Sequence, residues 1–379
     1  MATMKSALCS ALCGVIALAL LSSPVKAQGL PTDEKLKGVL ETLRQLNKLP
    51  ASPPASGLRT RSATPKPSVS PDLLKELGAA SVEFLQKYSV GQTIYGGDNR
   101  RAYDNATTIE QRAADAIAVF VTASQVSADR NGTVRLASPP GPRLCSPNDL
   151  QPGQHPEPFW DQPRPGFCTG FKVGPDLVAT AGHCVKPTAE RRPNDIPCSD
   201  LRLVFGFRKS KSQAAADRDI PAANVYRCVD VLAGHLNEED WRIIRVDRPI
   251  NAPQVTMRME GRPPLGARLT VVGHPSGLPV TIAEGATVHL HRQTFFSADL
   301  DTYQGNSGSP VFNSDRLRAG ELFVEGILVR GENDFVQDTP CLLTRRCPLF
   351  SSCRGEDVTY SSLLEPAMRR LTRTEASKQ

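Results

Sequence analysis

A chain of 379 residues can hold one large or two modest domains, and 40% hydrophobic with 22% charged residues is the composition of an ordinary globular protein. A net charge of +6 with no long basic run disfavours nucleic-acid binding. In chain order, residues 1–27 read as a secretory signal. Lys5 gives a positive start, Ala7 to Leu21 is apolar, and Val25-Lys26-Ala27 places small residues at −3 and −1 of a cleavage site after Ala27. That apolar core is short for a membrane span, and no other stretch reaches its length, so no membrane span is expected. Export implies a secreted or periplasmic protein. Removal of the signal takes Cys9 and Cys13 out of the ten cysteines and leaves eight, an even number suited to four disulfides in an oxidising compartment. No Cys-x-x-Cys spacing occurs, and no metal site is expected.

Residues 28–90 differ from the rest of the chain. Leu36, Leu40, Leu43 and Leu46 recur at helical spacing between Thr32 and Leu49, and residues 50–71 form a Pro-, Ser- and Ala-rich linker. A second helix then starts with Ser70 as cap and Pro71 in the first position, ahead of Leu73, Leu74, Leu77, Phe84 and Leu85. Two amphipathic helices on a tether bury little surface alone, so this segment is expected to pack on the domain after it as a pro-segment or N-terminal extension.

From about residue 91 to 379 the pattern turns to short strands. Ala116 to Val121, Leu201 to Phe207, Val225 to Leu232 and Trp241 to Val246 fit one group, with Cys168 opening another strand after a Pro- and Gly-rich loop over 130–167. Arg268 to Val272, Thr281 to Leu290, Thr294 to Leu300, Pro310 to Phe312 and Leu322 to Arg330 fit a second group, and Leu363 to Leu371 reads as a terminal helix. This spacing predicts an all-β architecture of two packed barrels.

The chemistry concentrates in Thr302 to Phe312, Thr-Tyr-Gln-Gly-Asn-Ser-Gly-Ser-Pro-Val-Phe. Ser307 reads as a nucleophile on a tight turn whose backbone N–H groups point at one spot. Gly305 admits a close backbone approach to a substrate carbonyl, and Gly308 relieves crowding after the serine. A serine hydroxyl needs a base in hydrogen-bond reach, which His183 in Thr-Ala-Gly-His-Cys supplies. The imidazole in turn needs an acid to fix its tautomer. Asp240 suits this better than Glu238, Glu239 or Asp219, because it opens the run Asp-Trp-Arg-Ile-Ile-Arg-Val. The other histidines default to structural or solvated roles.

The order His, Asp, Ser and the three segments around them resemble the trypsin/chymotrypsin superfamily. The serine segment, the Val272-Gly273-His274-Pro275-Ser276-Gly277 turn and the Ile94-to-Arg100 stretch resemble its bacterial glutamyl-endopeptidase-like branch, over about residues 92 to 372. The resemblance implies two six-stranded antiparallel β-barrels with a C-terminal helix, and a serine endopeptidase using His183, Asp240 and Ser307. The N–H groups of Gly305 and Ser307 would form its oxyanion hole. Protein or peptide substrates are implied, with no cofactor and a monomeric chain.

Cys168 and Cys184 match the family bridge that closes the histidine loop. Cys198 and Cys228 flank neighbouring strand candidates, and the pairing of Cys145, Cys341, Cys347 and Cys353 stays open. Asn306 departs from digestive members, which carry an aspartate there that pairs with a newly cut N-terminal ammonium. A preformed hole, or one ordered by Asn306, is expected instead. Asp301 occupies the place of the carboxylate that binds Arg or Lys, or else serves the loop. Together with Gln304 and Arg330 it forms the expected substrate-binding set. The 326–331 strand lacks the histidine of glutamyl endopeptidases, which puts glutamate preference in doubt, while Arg330 leaves an acidic preference open. The rival reading is a protease-fold binding protein without activity. A chaperone-protease is disfavoured, because too few residues follow the barrels to build a peptide-binding module.

Overall fold

The structure, a computed structural model, describes residues 94–95, 97–128, 131–150, 155–186, 196–209, 219–236, 238–331, 334–336, 341–347 and 353–376. The expected signal, both N-terminal helices and the linker at 50–71 lie outside the described residues.

The run Ile-Ala-Val-Phe-Val-Thr forms β1 (Ile117–Thr122), because β-branched and aromatic side chains suit a pleated surface covered on both faces. It is followed by β2 (Cys168–Lys172), β3 (Leu177–Ala181), β4 (Leu201–Phe205), β5 (Val225–His235) and β6 (Trp241–Val246). These six antiparallel strands close into a barrel in the order β5-β6-β3-β2-β1-β4, with β4 pairing back to β5. Closure removes the free edges that an open sheet would leave. Phe120 and Phe171 fill the interior without solvent exposure, each worth about 1.5–3 kcal/mol of burial.

The second barrel comprises β7 (Arg268–Gly273), β8 (Thr281–His291), β9 (Phe295–Ala298), β10 (Pro310–Asn313), β11 (Phe323–Arg330) and β12 (Glu356–Tyr360). Its order is β11-β10-β7-β8-β9-β12, closed by antiparallel pairing of β12 with β11. The two-barrel expectation therefore holds, with two strands beyond those expected, β3 and β12. The Glu-Asp-Val-Thr-Tyr sequence of β12 conceals a strand that is buried at all five positions. The terminal helix runs Glu365–Ala376 and sets Ala367 and Met368 into the core.

A helix at Thr108–Asp115 was not expected, although its capping box is legible as Thr107 three residues before Glu110. The predicted loop over 130–167 holds a strand, Thr133–Leu136, that pairs with Val126–Ala128 and Asp219–Pro221.

Four disulfides join Cys168 to Cys184, Cys198 to Cys228, Cys145 to Cys341 and Cys347 to Cys353. The Cys145–Cys341 bridge spans 196 residues of sequence, a closure worth about 5 kcal/mol in the chain-entropy account. Among the described residues no helix is long and apolar enough to cross a membrane.

Candidate active site

β3 delivers the chain to a turn at Gly182–Cys184. Only glycine fits at 182, because a Cβ there would lie 2.3 Å from the His235 carbonyl oxygen and 2.9 Å from Asp240 Oδ1. That closeness lets Asp240 grip the next residue twice. Its Oδ1 accepts the His183 backbone N–H at 2.9 Å, and its Oδ2 lies 2.9 Å from His183 Nδ1. A carboxylate only accepts, so Nδ1 carries the proton and Nε2 keeps its lone pair. Asp240 is held at a φ of 45°, left-handed for a residue with a Cβ, a strain of about 1 kcal/mol or more. The side chain of Asp240 is 9% exposed and that of His183 is 45% exposed, so the acid is sheltered while the imidazole faces solvent.

The neighbouring acids are occupied elsewhere. Glu239 accepts from the Trp241 indole N–H at 3.1 Å, Glu238 is exposed, and Asp219 lies on a strand of the small separate sheet, opposite Arg135 in the backbone register.

The serine turn comes from the loop before β10. Gly305 and Gly308 stand at φ values of 101° and 90°, a region open to glycine. A Cβ on Gly308 would lie 2.0 Å from the Thr169 carbonyl oxygen and 2.3 Å from Thr180 Oγ1. The residue after Ser307 thus lies against the β2–β3 edge that leads to His183. The Ser307 carbonyl accepts from the Thr169 N–H at 2.8 Å.

Peptide N–H and C=O groups point in opposite directions across a trans bond. The Gln304 carbonyl accepts from the Ser276 N–H at 2.5 Å, and the Asn306 carbonyl accepts from the Ser309 N–H at 2.8 Å. The N–H groups of Gly305 and Ser307 are therefore turned the other way. Neither donates a hydrogen bond among the described residues. Backbone amides left without an acceptor are the kind of donor that an oxyanion requires.

Asn306 is buried inside this turn, its amide N–H₂ donating to Thr302 Oγ1 and its carbonyl accepting from Ser309 Oγ at 3.3 Å. Asp301 is 4% exposed, and its two oxygens accept the backbone N–H groups of Tyr95 at 2.8 Å and Asn99 at 3.3 Å. Burial pushes its carboxyl up to about 6, against the pull of those two bonds. Gln304 is exposed, and its N–H donates to Asp334, whose carboxyl burial raises to about 7. Arg330 reaches Asp357 Oδ2 at 3.2 Å and the Glu238 carbonyl at 3.3 Å.

Behind the loop lies a buried polar cluster that the sequence reading missed. Arg100 pairs with Asp98, donates to Tyr303 Oη at 2.8 Å and stacks 4.0 Å from the Tyr303 ring centroid. Tyr303 Oη is in turn hydrogen-bonded to Glu157 and Thr344. Burial opposes ionisation of Asp98, but the Arg100 guanidinium more than offsets it and lowers the carboxyl. Only the Asp-Asn-Arg stretch near the domain start hinted at this support.

Cys168, His183 and Cys184 bring donor atoms within 4.8 Å of one another. The two sulfurs are bonded to each other, however, and offer no thiolate to a metal.

A family model described as a trypsin-like peptidase domain matches residues 168–319, which includes His183, Asp240 and Ser307. Solved structures with similar folds include a Glu endopeptidase in complex with MPD, at 15% identity over 74% of this chain and 99% of that one, with a TM-score of 0.43. The active form of the Rv3671c protease from M. tuberculosis is 14% identical over 68% of this chain and 82% of its own, with a TM-score of 0.37. A serine endoprotease from Yersinia pestis is 14% identical over 71% and 68%, with a TM-score of 0.39. No curated protein matches the chain by sequence.

Proposed function

That the chain carries a trypsin-like peptidase domain, of the chymotrypsin/trypsin-like serine protease superfamily, is the premise from which we propose a secreted serine endopeptidase. Ser307 Oγ attacks the scissile carbonyl while His183 Nε2 takes its proton and then delivers it to the leaving amine. Asp240 keeps the Nδ1–H tautomer and steadies the imidazolium. The N–H groups of Gly305 and Ser307 receive the developing oxyanion. Water, deprotonated by the same imidazole, then hydrolyses the acyl-enzyme. Every step is carried by protein groups, and no cofactor enters.

The observation that carries this reading is the two-point hold of Asp240 on His183, which fixes both the tautomer and the direction of the ring. The test is labelling with a fluorophosphonate probe alongside hydrolysis of a peptide library. Labelling that vanishes in Ser307→Ala supports the reading. Labelling that persists in Ser307→Ala, or none in the wild type, favours a binding protein of protease fold.

Side-chain preference is proposed to lie outside Asp301 and Arg330. The first spends both oxygens on backbone N–H groups, and the second is engaged by Asp357. Asp301 is thus proposed as support for the serine loop. Peptides with Arg, Lys, Glu or Leu before the cut distinguish a basic, an acidic and an apolar preference. A strong preference for Arg or Lys that is lost in Asp301→Asn would restore Asp301 to the pocket. Export through residues 1–27 and removal of a pro-segment within 28–90 belong to the same proposal. N-terminal sequencing of the mature protein tests both.

A further inference from the structure

Thr169, on β2 of the first barrel, is fully buried and has every hydrogen-bonding group in use. Its N–H donates to the Ser307 carbonyl at 2.8 Å, and its carbonyl accepts from Thr180 Oγ1 at 2.7 Å. Its hydroxyl donates to the Gly305 carbonyl at 2.9 Å and accepts the His274 N–H at 3.2 Å. One residue therefore grips the carbonyls of both positions whose amides have no acceptor among the described residues.

The other side of the Gly305 peptide is held by the turn at His274–Gly277. The Ser276 N–H takes the Gln304 carbonyl at 2.5 Å, and Ser276 adopts a left-handed φ of 53° to present it. The turn is itself closed by the Gly277 N–H on the His274 carbonyl at 3.0 Å, and Arg164 Nε donates to the Ser276 carbonyl at 3.0 Å. This bracing matters because Gly305, at a φ of 101°, has no Cβ to resist rotation of its flanking peptides. A rotation there would swing its N–H out of the cleft and leave a single donor.

We infer that Thr169 is a positioning residue for the oxyanion hole, its hydroxyl relaying the His274–Gly277 turn to Gly305 and its amide fixing Ser307. The inference rests on the serine-endopeptidase reading and goes beyond it. It assigns a catalytic consequence to a residue of the first barrel that touches no substrate, and it gives the His274–Gly277 turn a purpose.

The experiment compares Thr169→Val, which keeps the shape and removes the hydroxyl, with Thr169→Ser, which keeps the hydroxyl. Thr169→Val is expected to lower kcat by about tenfold to a hundredfold, because one oxyanion donor loses its aim, with KM nearly unchanged. Inhibition by a peptide aldehyde, whose adduct with Ser307 places an oxyanion in the hole, weakens by a similar factor. Thr169→Ser is expected to stay within about threefold of wild type on both readouts.

Should Thr169→Val prove too unstable to purify, Thr169→Ala set against Thr169→Ser isolates the hydroxyl, since both lack the methyl group. Equal kcat in the two members of either pair, on an active wild-type background, overturns the inference and leaves the catalytic reading standing. A wild-type protein that neither takes the probe nor cleaves any peptide overturns both.

Discussion

In the first barrel, β1 buries Ile117 to Val121 without a polar side chain, and β3 is buried along its whole length with Thr180 alone hydroxylated. In the second, β11 buries Glu325 completely, and β12 buries Glu356, Asp357 and Thr359. Glu325 is met by Arg258 and by Asn313 at 2.8 Å, and Asp357 is met by Ser297 at 2.9 Å, Arg354 at 2.6 Å and Arg330. The barrel that carries His183 and Asp240 is thus set mainly by apolar packing, with the buried Arg242 on β6 an exception. The one that carries the Ser307 loop is set by buried polar contacts, which are directional and are felt individually when broken. The hydroxyls that the first barrel does bury, on Thr169 and Thr180, lie where it meets the serine turn.

The sharpest way to break this comparison is at the chemistry itself, where the two barrels must act as one. Ser307→Ala is expected to lower kcat by about a millionfold and Asp240→Asn by about ten thousandfold, with the fold intact by circular dichroism. A small effect of Asp240→Asn would detach the first barrel from catalysis.

Next come the two kinds of core. Phe120→Ala, in the first barrel, is expected to cost about 3–5 kcal/mol in denaturant unfolding. Arg258→Met, in the second, leaves the fully buried Glu325 carboxylate without its guanidinium. With partial exposure of the arginine discounted, about 3 kcal/mol is expected. Adding Glu325→Gln to Arg258→Met should recover part of that loss, whereas adding it to Phe120→Ala should not. Additive behaviour in both pairs would erase the distinction between the barrels.

The smallest effect is a pH dependence. Asp301 and Asp334 have carboxyls raised by burial to about 6 and about 7 from an ordinary 3.8. The folded state therefore favours their protonated forms. Their contribution is full below about pH 4 and is lost as pH rises through those values. His274 acts in the opposite sense. Burial holds its imidazole down at about 4 from 6.5, so its contribution is lost as pH falls through that interval. A difference measurement removes it. Asp334→Asn, compared with wild type, should gain Tm as pH rises from 5 to 8. A constant or shrinking difference would show that Asp334 is not held against its charge.

The segments around His183, Asp240 and Ser307 stood out in the sequence because each carries a local signal. Gly182 before His183, Gly305 and Gly308 around Ser307, and the strand after Asp240 all lie within a few residues of the group they serve. The barrels were legible at most of their apolar strands, β3 excepted. β12 was not, because its two acids read as surface, and the burial of Asp357 becomes intelligible only once Arg354, 3 residues before it, and Arg330, 27 residues before it, are seen to meet it. The role of Thr169 had no local signature, since its hydroxyl partners Gly305 and His274 lie 136 and 105 residues away.

The sequence by itself determined the kinds of groups available and their order, because a nucleophile, a base and an acid each need a particular side chain and a particular local backbone. The tertiary structure alone decided what surrounds them. Asp301 is the clearest case. Its position before the serine allows either a pocket carboxylate or a loop support, and what it meets is Tyr95 and Asn99, 206 and 202 residues away, whose N–H groups donate to its two oxygens. A carboxylate takes its function from the donors that face it, and here those donors are supplied only by folding.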